Sequence, residues 1–131
     1  MPEKEIGEWL RQMGLKYKLD SKKMTFSVIY EEGGKHWDIR VFVGKHWIQI
    51  AARLAKASDV PEDKKMQIME QLLKANYELN EVTFSMDEDG NYYSENDVPK
   101  VSNFENFRSE FTAVPFGIRY WMKNVGSILN S

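Results

Sequence analysis

The sequence contains no cysteine. That absence excludes a disulfide scaffold, a thiolate zinc site and a thiol nucleophile together. It also lacks a Gly-rich phosphate loop of either common type and a Gly-x-Ser-x-Gly nucleophile elbow, so no cofactor is expected. Neither sign of charge is in excess. With 18 basic and 20 acidic residues the net charge is −2, which exerts no long-range pull on nucleic acid or an anionic membrane. No apolar run approaches a membrane-spanning length, and Met1-Pro2-Glu3-Lys4-Glu5 lacks the basic-then-apolar pattern of a signal peptide. A cytoplasmic location is therefore expected, with no membrane partner.

What is present reads as a globular domain. The 131 residues are 42% hydrophobic and 13% aromatic, enough to build one core and too apolar for disorder. No linker or low-complexity tract divides the chain, so residues 1–131 are expected to form a single domain.

Ile6, Trp9, Leu10 and Met13 recur at helical spacing behind Pro2, Glu3 and Glu5, and Gly14 follows as a stop. Met24, Phe26, Val28 and Tyr30 then alternate with Thr25, Ser27 and Ile29, the pattern of a half-buried strand. Residues 31–35 form a turn before strands at 37–43 and 47–52. Gly44-Lys45 between them suits a two-residue hairpin loop. Ser58 or Asp59, Pro61, Glu62 and Asp63 announce a helix with Met66, Met69, Leu72 and Leu73 as its core stripe. A second hairpin runs over 81–86 and 91–95 about the acidic turn Asp87-Glu88-Asp89-Gly90, and Pro99 ends it. Ser102 and Glu105 have capping-box spacing at the head of a Phe-rich helix, in which Pro115 and Gly117 predict a kink or break. The expected fold is α+β, in the order α-β-β-β-α-β-β-α. A strongly bent antiparallel sheet of about five strands would pack against helices.

The element order and the phrase Leu72-Leu73-Lys74-Ala75-Asn76-Tyr77-Glu78-Leu79-Asn80, running into Val82-Thr83-Phe84-Ser85-Met86-Asp87 and Gly90-Asn91-Tyr92-Tyr93, carry a resemblance. The chain resembles the type III secretion chaperone fold, and more closely its YbjN-type relatives, often labelled sensory-transduction regulators. A late Phe-rich helix, here Phe104 to Phe111, matches as well. The resemblance implies a homodimer with exposed apolar patches that bind an extended partner polypeptide. It carries no catalytic chemistry and does not imply secretion.

Candidate chemistry is sparse. His36 and His46 each follow Gly-Lys and precede Trp. With Gly44-Lys45 as the loop, His46 pairs with Val43 while His36 lies opposite Arg53. Ten strand residues span roughly 33 Å, so the two would not share a metal. Asp87-Glu88-Asp89-Gly90 invites a calcium reading, but an EF-hand aligned on Gly90 places Ser85 and Asn96 where acids belong. Glu31-Glu32 lies in a turn, and Met66 and Met69 on a core stripe argue against copper. No enzyme and no metal are expected.

The sheet face is more informative. In that register Trp37, Ile39 and Val41 face Ala52, Ile50 and Ile48 on a core side. Arg40 with Gln49, Asp38 with Ala51 and Phe42 with Trp47 occupy the other. Phe42 and Trp47 thus form an aromatic pair on the polar face, flanked by Arg40, Gln49 and Arg53. Such a patch marks a partner or dimer surface, unless the C-terminal helix folds over it. Aromatics beside Lys35, Arg40, Lys45 and Arg53 resemble a nucleic-acid stacking platform, but the acidic turns oppose phosphate and the element order is not that of an RNA-recognition module. The expected function is non-enzymatic binding of another polypeptide by a homodimer, chaperone-like or regulatory. The alternative is a small-ligand or sensory domain with a pocket between the sheet and the helix at Pro115-Phe116-Gly117.

Overall fold

The structure, a computed structural model, describes residues 2–131. Met1, the first of the residues read for a leader, lies outside them. Helix α1 (Pro2–Gln12) precedes four strands, β1 (Lys18–Asp20), β2 (Thr25–Glu32), β3 (Lys35–Val43) and β4 (Trp47–Ala55). Two short 3-10 turns lead into α2 (Lys65–Glu78), followed by β5 (Phe84–Met86) and β6 (Tyr92–Pro99). Helix α3 (Phe104–Tyr120) continues through a π-helical segment (Trp121–Val125) into α4 (Gly126–Leu129). The strands form one antiparallel sheet in the order β1-β2-β3-β4-β6-β5. It has six strands rather than about five. The added β1, Lys18-Leu19-Asp20, is short and exposed at all three positions, so it carries no alternation to read.

Gly33 and Gly34 make the β2–β3 turn, both at positive φ (60° and 75°), as a two-residue type I′ connection requires. A Cβ on Gly33 would also fall 1.9 Å from the Met122 methyl, so a glycine lets the π-helical segment pass close by. Between β3 and β4 the loop is Lys45-His46 rather than Gly44-Lys45. The Gly44 N–H donates to the Trp47 carbonyl at 2.8 Å, and Val43 faces Ile48. The register therefore differs by two residues from the expected one. An even shift keeps every side chain on its expected face while changing its neighbour.

The core lies on one side of the sheet. Phe26, Val28, Ile39, Val41, Ile48, Ile50 and Ala52 pack with Ile6 and Leu10 of α1, Ile68 and Leu72 of α2, and Phe107, Phe111, Val114 and Ile118 of α3. Trp9 and Phe107 join α1 to α3 at 5.3 Å between ring centroids. Helix α3 lies flush on β6: a Cβ on Gly117 would fall 2.1 Å from Ser94 Oγ, whose hydroxyl donates to the Val114 carbonyl at 3.1 Å. Pro115 and Gly117 are buried within the continuous helix, and the expected break falls later, in the π-helical turns. Asn103, not Ser102, caps α3, its Oδ1 accepting from the Asn106 N–H at 2.8 Å. Among the described residues no helix is long and apolar enough to cross a membrane.

Candidate partner-binding surface

Strand side chains alternate between faces, so packing α1, α2 and α3 on one side of the sheet leaves the other to solvent. Among the described residues no helix folds over it. Along that outer face Phe42 sits opposite Gln49 and Arg40 opposite Ala51, while Gln49, Ala51 and Arg53 sit opposite Asp97, Glu95 and Tyr93. Phe42 and Trp47 are diagonal neighbours rather than a direct pair, and they remain 45% and 56% exposed. Trp47 faces Pro99 of β6. Arg40, Phe42, Gln49 and Arg53 line one shallow hollow of about 490 Å³ with Tyr93 and His36, and Trp47 stands at the loop end of the same face.

The polar members of this face are tied to one another. Arg40 Nε contacts Asp38 Oδ2 at 2.9 Å, and Asp38 accepts from the Ser27 hydroxyl. Gln49 Nε2 donates to Glu95 Oε2 at 2.6 Å. Burial, with Glu95 beside it, holds the Asp97 carboxyl above its ordinary range. Acids thus alternate with Arg40 and Arg53 across the face, which suits polypeptide better than a phosphate backbone.

A second apolar surface lies on α2. The helix buries Ile68, Leu72 and Ala75. Met66 and Leu73, expected in the core, are instead 78% and 70% exposed. With Met69 (37%) and Tyr77 (92%) they form a separate stripe along the helix. The spacing of 66, 69, 73 and 77 is helical, as is that of 68, 72 and 75, so α2 is apolar on two faces and periodicity alone does not choose between them. Met86 of β5 extends the exposed stripe, and a groove of about 180 Å³ runs between the elements, lined by Met69, Leu73, Asn76, Phe84 and Met86.

The catalytic and metal candidates stay apart. His36 is paired with Glu31, not Arg53, its Nδ1 lying 3.6 Å from Glu31 Oε1, while His46 is in the β3–β4 loop and not paired with Val43. Among the described residues no cluster of three or more His, Asp or Glu is placed to hold a metal. The Asp87 carboxylate is occupied by its own hairpin, accepting from the Tyr93 hydroxyl at 2.8 Å, the Asn91 N–H at 2.9 Å and the Asp89 N–H at 3.0 Å. Those bonds lower its pKa to about 2. The flush contact of Gly117 on Ser94 leaves no room for a ligand between β6 and α3 there.

A scan against protein-family models finds no match, and neither does a search of the curated proteins. Solved structures do match. YbjN of E. coli, described as a putative transcription regulator, superposes with a TM-score of 0.67 at 12% identity, covering 95% of this chain and 92% of its own. A chain of the ExoU–SpcU heterodimer from the type III secretion system of Pseudomonas aeruginosa gives 0.64 at 16% identity, covering 95% of this chain and 97% of its own. The Yersinia pestis type III secretion chaperone SycH, solved with a stable fragment of YscM2, gives 0.60 at 10% identity, covering 91% and 98%. The chain has the fold of the type III secretion chaperones and of YbjN. In this chain the aromatic sheet face and the α2 stripe belong to different layers, one to the uncovered side of the sheet and the other to the helices that cover its opposite side.

Proposed function

We propose that this chaperone-like chain is a non-enzymatic cytoplasmic binding module that acts as a homodimer and holds an extended partner polypeptide on the uncovered sheet face. The observation that carries the reading is the exposure of Phe42 and Trp47 on a face no helix covers. Large aromatics beside a hollow with Arg40, Gln49 and Arg53 supply apolar burial at the centre and polar contacts around it, the usual anatomy of a recognition surface. Several structures with this fold contain a second polypeptide, among them a chaperone–effector complex. Orientation and register of a bound segment would come from Arg40, Gln49 and Arg53.

The homodimer reading is supported by the α2 stripe. Its five apolar side chains leave on the order of 700 Å² open, near the roughly 800 Å² that each partner contributes to a standard interface. A two-fold axis would lay the two α2 helices face to face, Leu73 near Leu73, with Met66 and Tyr77 toward opposite ends.

Two substitutions separate the surfaces. A Trp47→Glu chain is expected to remain dimeric in sedimentation equilibrium while losing the polypeptide that the wild type retains from its native cytosol. A Leu73→Glu chain is expected to sediment as a monomer. Retention of the same polypeptide by Trp47→Glu would overturn the assignment of the sheet face, and an unchanged mass for Leu73→Glu would overturn that of α2.

A further inference from the structure

The chain contains seven methionines and no cysteine, so any reversible sulfur oxidation falls on thioethers. Their distribution is uneven. Met13, Met24 and Met122 are partly buried against the core. Met66, Met69 and Met86 are 78%, 37% and 44% exposed and lie together on the α2–β5 surface, where Met69 and Met86 line one groove. Met66 and Met69 are three residues apart on α2, which makes them neighbours on one face. Three exposed methionines therefore occupy the stripe whose apolar character would hold two copies together.

We propose that Met66, Met69 and Met86 form an oxidation site that releases the dimer, an inference that rests on the reading of α2 as the self-association face. The oxidant is a peroxide. A sulfur lone pair attacks one peroxide oxygen, the O–O bond breaks, and the sulfur keeps that oxygen as a sulfoxide. With hydrogen peroxide the other oxygen leaves as water, so each thioether is oxidised by two electrons as one peroxide is reduced. A sulfoxide is polar and demands hydrogen-bond partners. On a facing copy Leu73 offers no hydrogen-bond donor and Tyr77 a single hydroxyl, too few for three sulfoxides, so packing the oxidised stripe there would bury unsatisfied groups. In the dimer the facing copy would cover the three side chains. Oxidation then proceeds through the free protomer and traps it, and a methionine sulfoxide reductase with its thiol reductant restores assembly.

The test treats the purified full chain with hydrogen peroxide at several protein concentrations. Peptide mass mapping locates added oxygen, and sedimentation velocity reports assembly. Oxygen is expected at Met66, Met69 and Met86, more slowly at higher protein concentration, with loss of the dimer and its recovery after reductase treatment. A Met66→Leu, Met69→Leu, Met86→Leu chain is expected to stay dimeric under the same peroxide, since Leu replaces Met at nearly constant volume. A fully oxidised chain that remains dimeric would overturn the oxidation site and leave the α2 reading standing. Dissociation of the triple-Leu chain by peroxide, or no oxygen at these three positions, would overturn it equally. A wild type that is monomeric at every concentration before oxidation would overturn the α2 reading and this inference with it.

Discussion

The carboxamide of Asn76 closes both backbone groups of Phe84: its Nδ2 donates to the Phe84 carbonyl at 3.0 Å, and its Oδ1 accepts from the Phe84 N–H at 2.7 Å. The Glu95 N–H donates to the Thr83 carbonyl at 2.9 Å, so by the alternation of antiparallel pairing the groups of Phe84 turn away from β6. They point out of the sheet at its edge. A side chain from α2 thus stands where another strand would, and blunts an edge that could otherwise recruit one.

Asn76→Ala is expected to lower stability by about 1–3 kcal/mol, the cost of leaving a largely buried donor and acceptor unmet. Urea unfolding monitored by tryptophan fluorescence measures it. An accompanying rise in concentration-dependent association would be expected as the β5 edge is opened. A midpoint equal to the wild type would mean that water replaces the carboxamide at little cost.

Gly117→Ala is expected to destabilise by about 1–3 kcal/mol, because a methyl would fall 2.1 Å from Ser94 Oγ and 2.9 Å from Ser94 Cβ. Ser94→Gly removes both atoms. The double variant should therefore unfold at a higher temperature than Gly117→Ala alone, although it forfeits the bond to the Val114 carbonyl. Additive losses in calorimetry would count against direct contact.

The β5–β6 hairpin should resist acid. The Asp87 carboxyl, held near 2 by the Tyr93 hydroxyl and the Asn91 amide, is depressed relative to the unfolded chain. Its contribution is complete above the ordinary value of 3.8 and is lost as pH falls through about 2. Asp87→Asn should melt below the wild type at neutral pH, with the gap closing between pH 4 and pH 2. Thermal scans across that window give the comparison.

Glu110 should behave oppositely. Burial raises its carboxyl above 4.5, with Glu81 and then Asp97 adding repulsion. Ionisation therefore weighs on the folded state, and the penalty is complete once pH exceeds the raised value. Glu110→Gln is expected to melt above the wild type at neutral pH and to converge with it as pH falls below about 4.5. A lower melting point at pH 7 would show that the carboxylate makes a favourable contact that outweighs its desolvation.

Much of this architecture is legible in the sequence where one face is apolar and the other polar. Ile6 and Leu10 of α1, Phe26 and Val28 of β2, and Phe107, Phe111 and Ile118 of α3 are buried as their spacing implies. The outer-face assignment of Phe42, Trp47, Arg40, Gln49 and Arg53 survived a wrong loop because the error was an even number of residues. Pattern fails where it is ambiguous or too short. Helix α2 carries two apolar stripes, and only its packing against β5 and the core selects Ile68, Leu72 and Ala75 for burial. Strand β1 has three residues, all exposed. Ser102 and Asn103 are both good caps, and the geometry of the chain entering α3 decides for Asn103. The Asn76–Phe84 closure joins a helix residue to a strand residue eight positions on, a contact no periodicity announces.

The strand order has a consequence for how the chain is made. Strands β1 to β4 are consecutive neighbours and can close hairpin by hairpin as they emerge, whereas β4 acquires its second neighbour only when β6 arrives, pairing Trp47 with Pro99 and Ala55 with Tyr92. At translation rates of about 5–20 residues per second, the interval from residue 55 to residue 99 is on the order of seconds. Throughout it the growing chain presents β4 as an open edge, with Ile48, Ile50 and Leu54 still short of the cover that α2 and α3 will give them. Nascent-chain aggregation should peak in that interval and fall once the β5–β6 hairpin has docked.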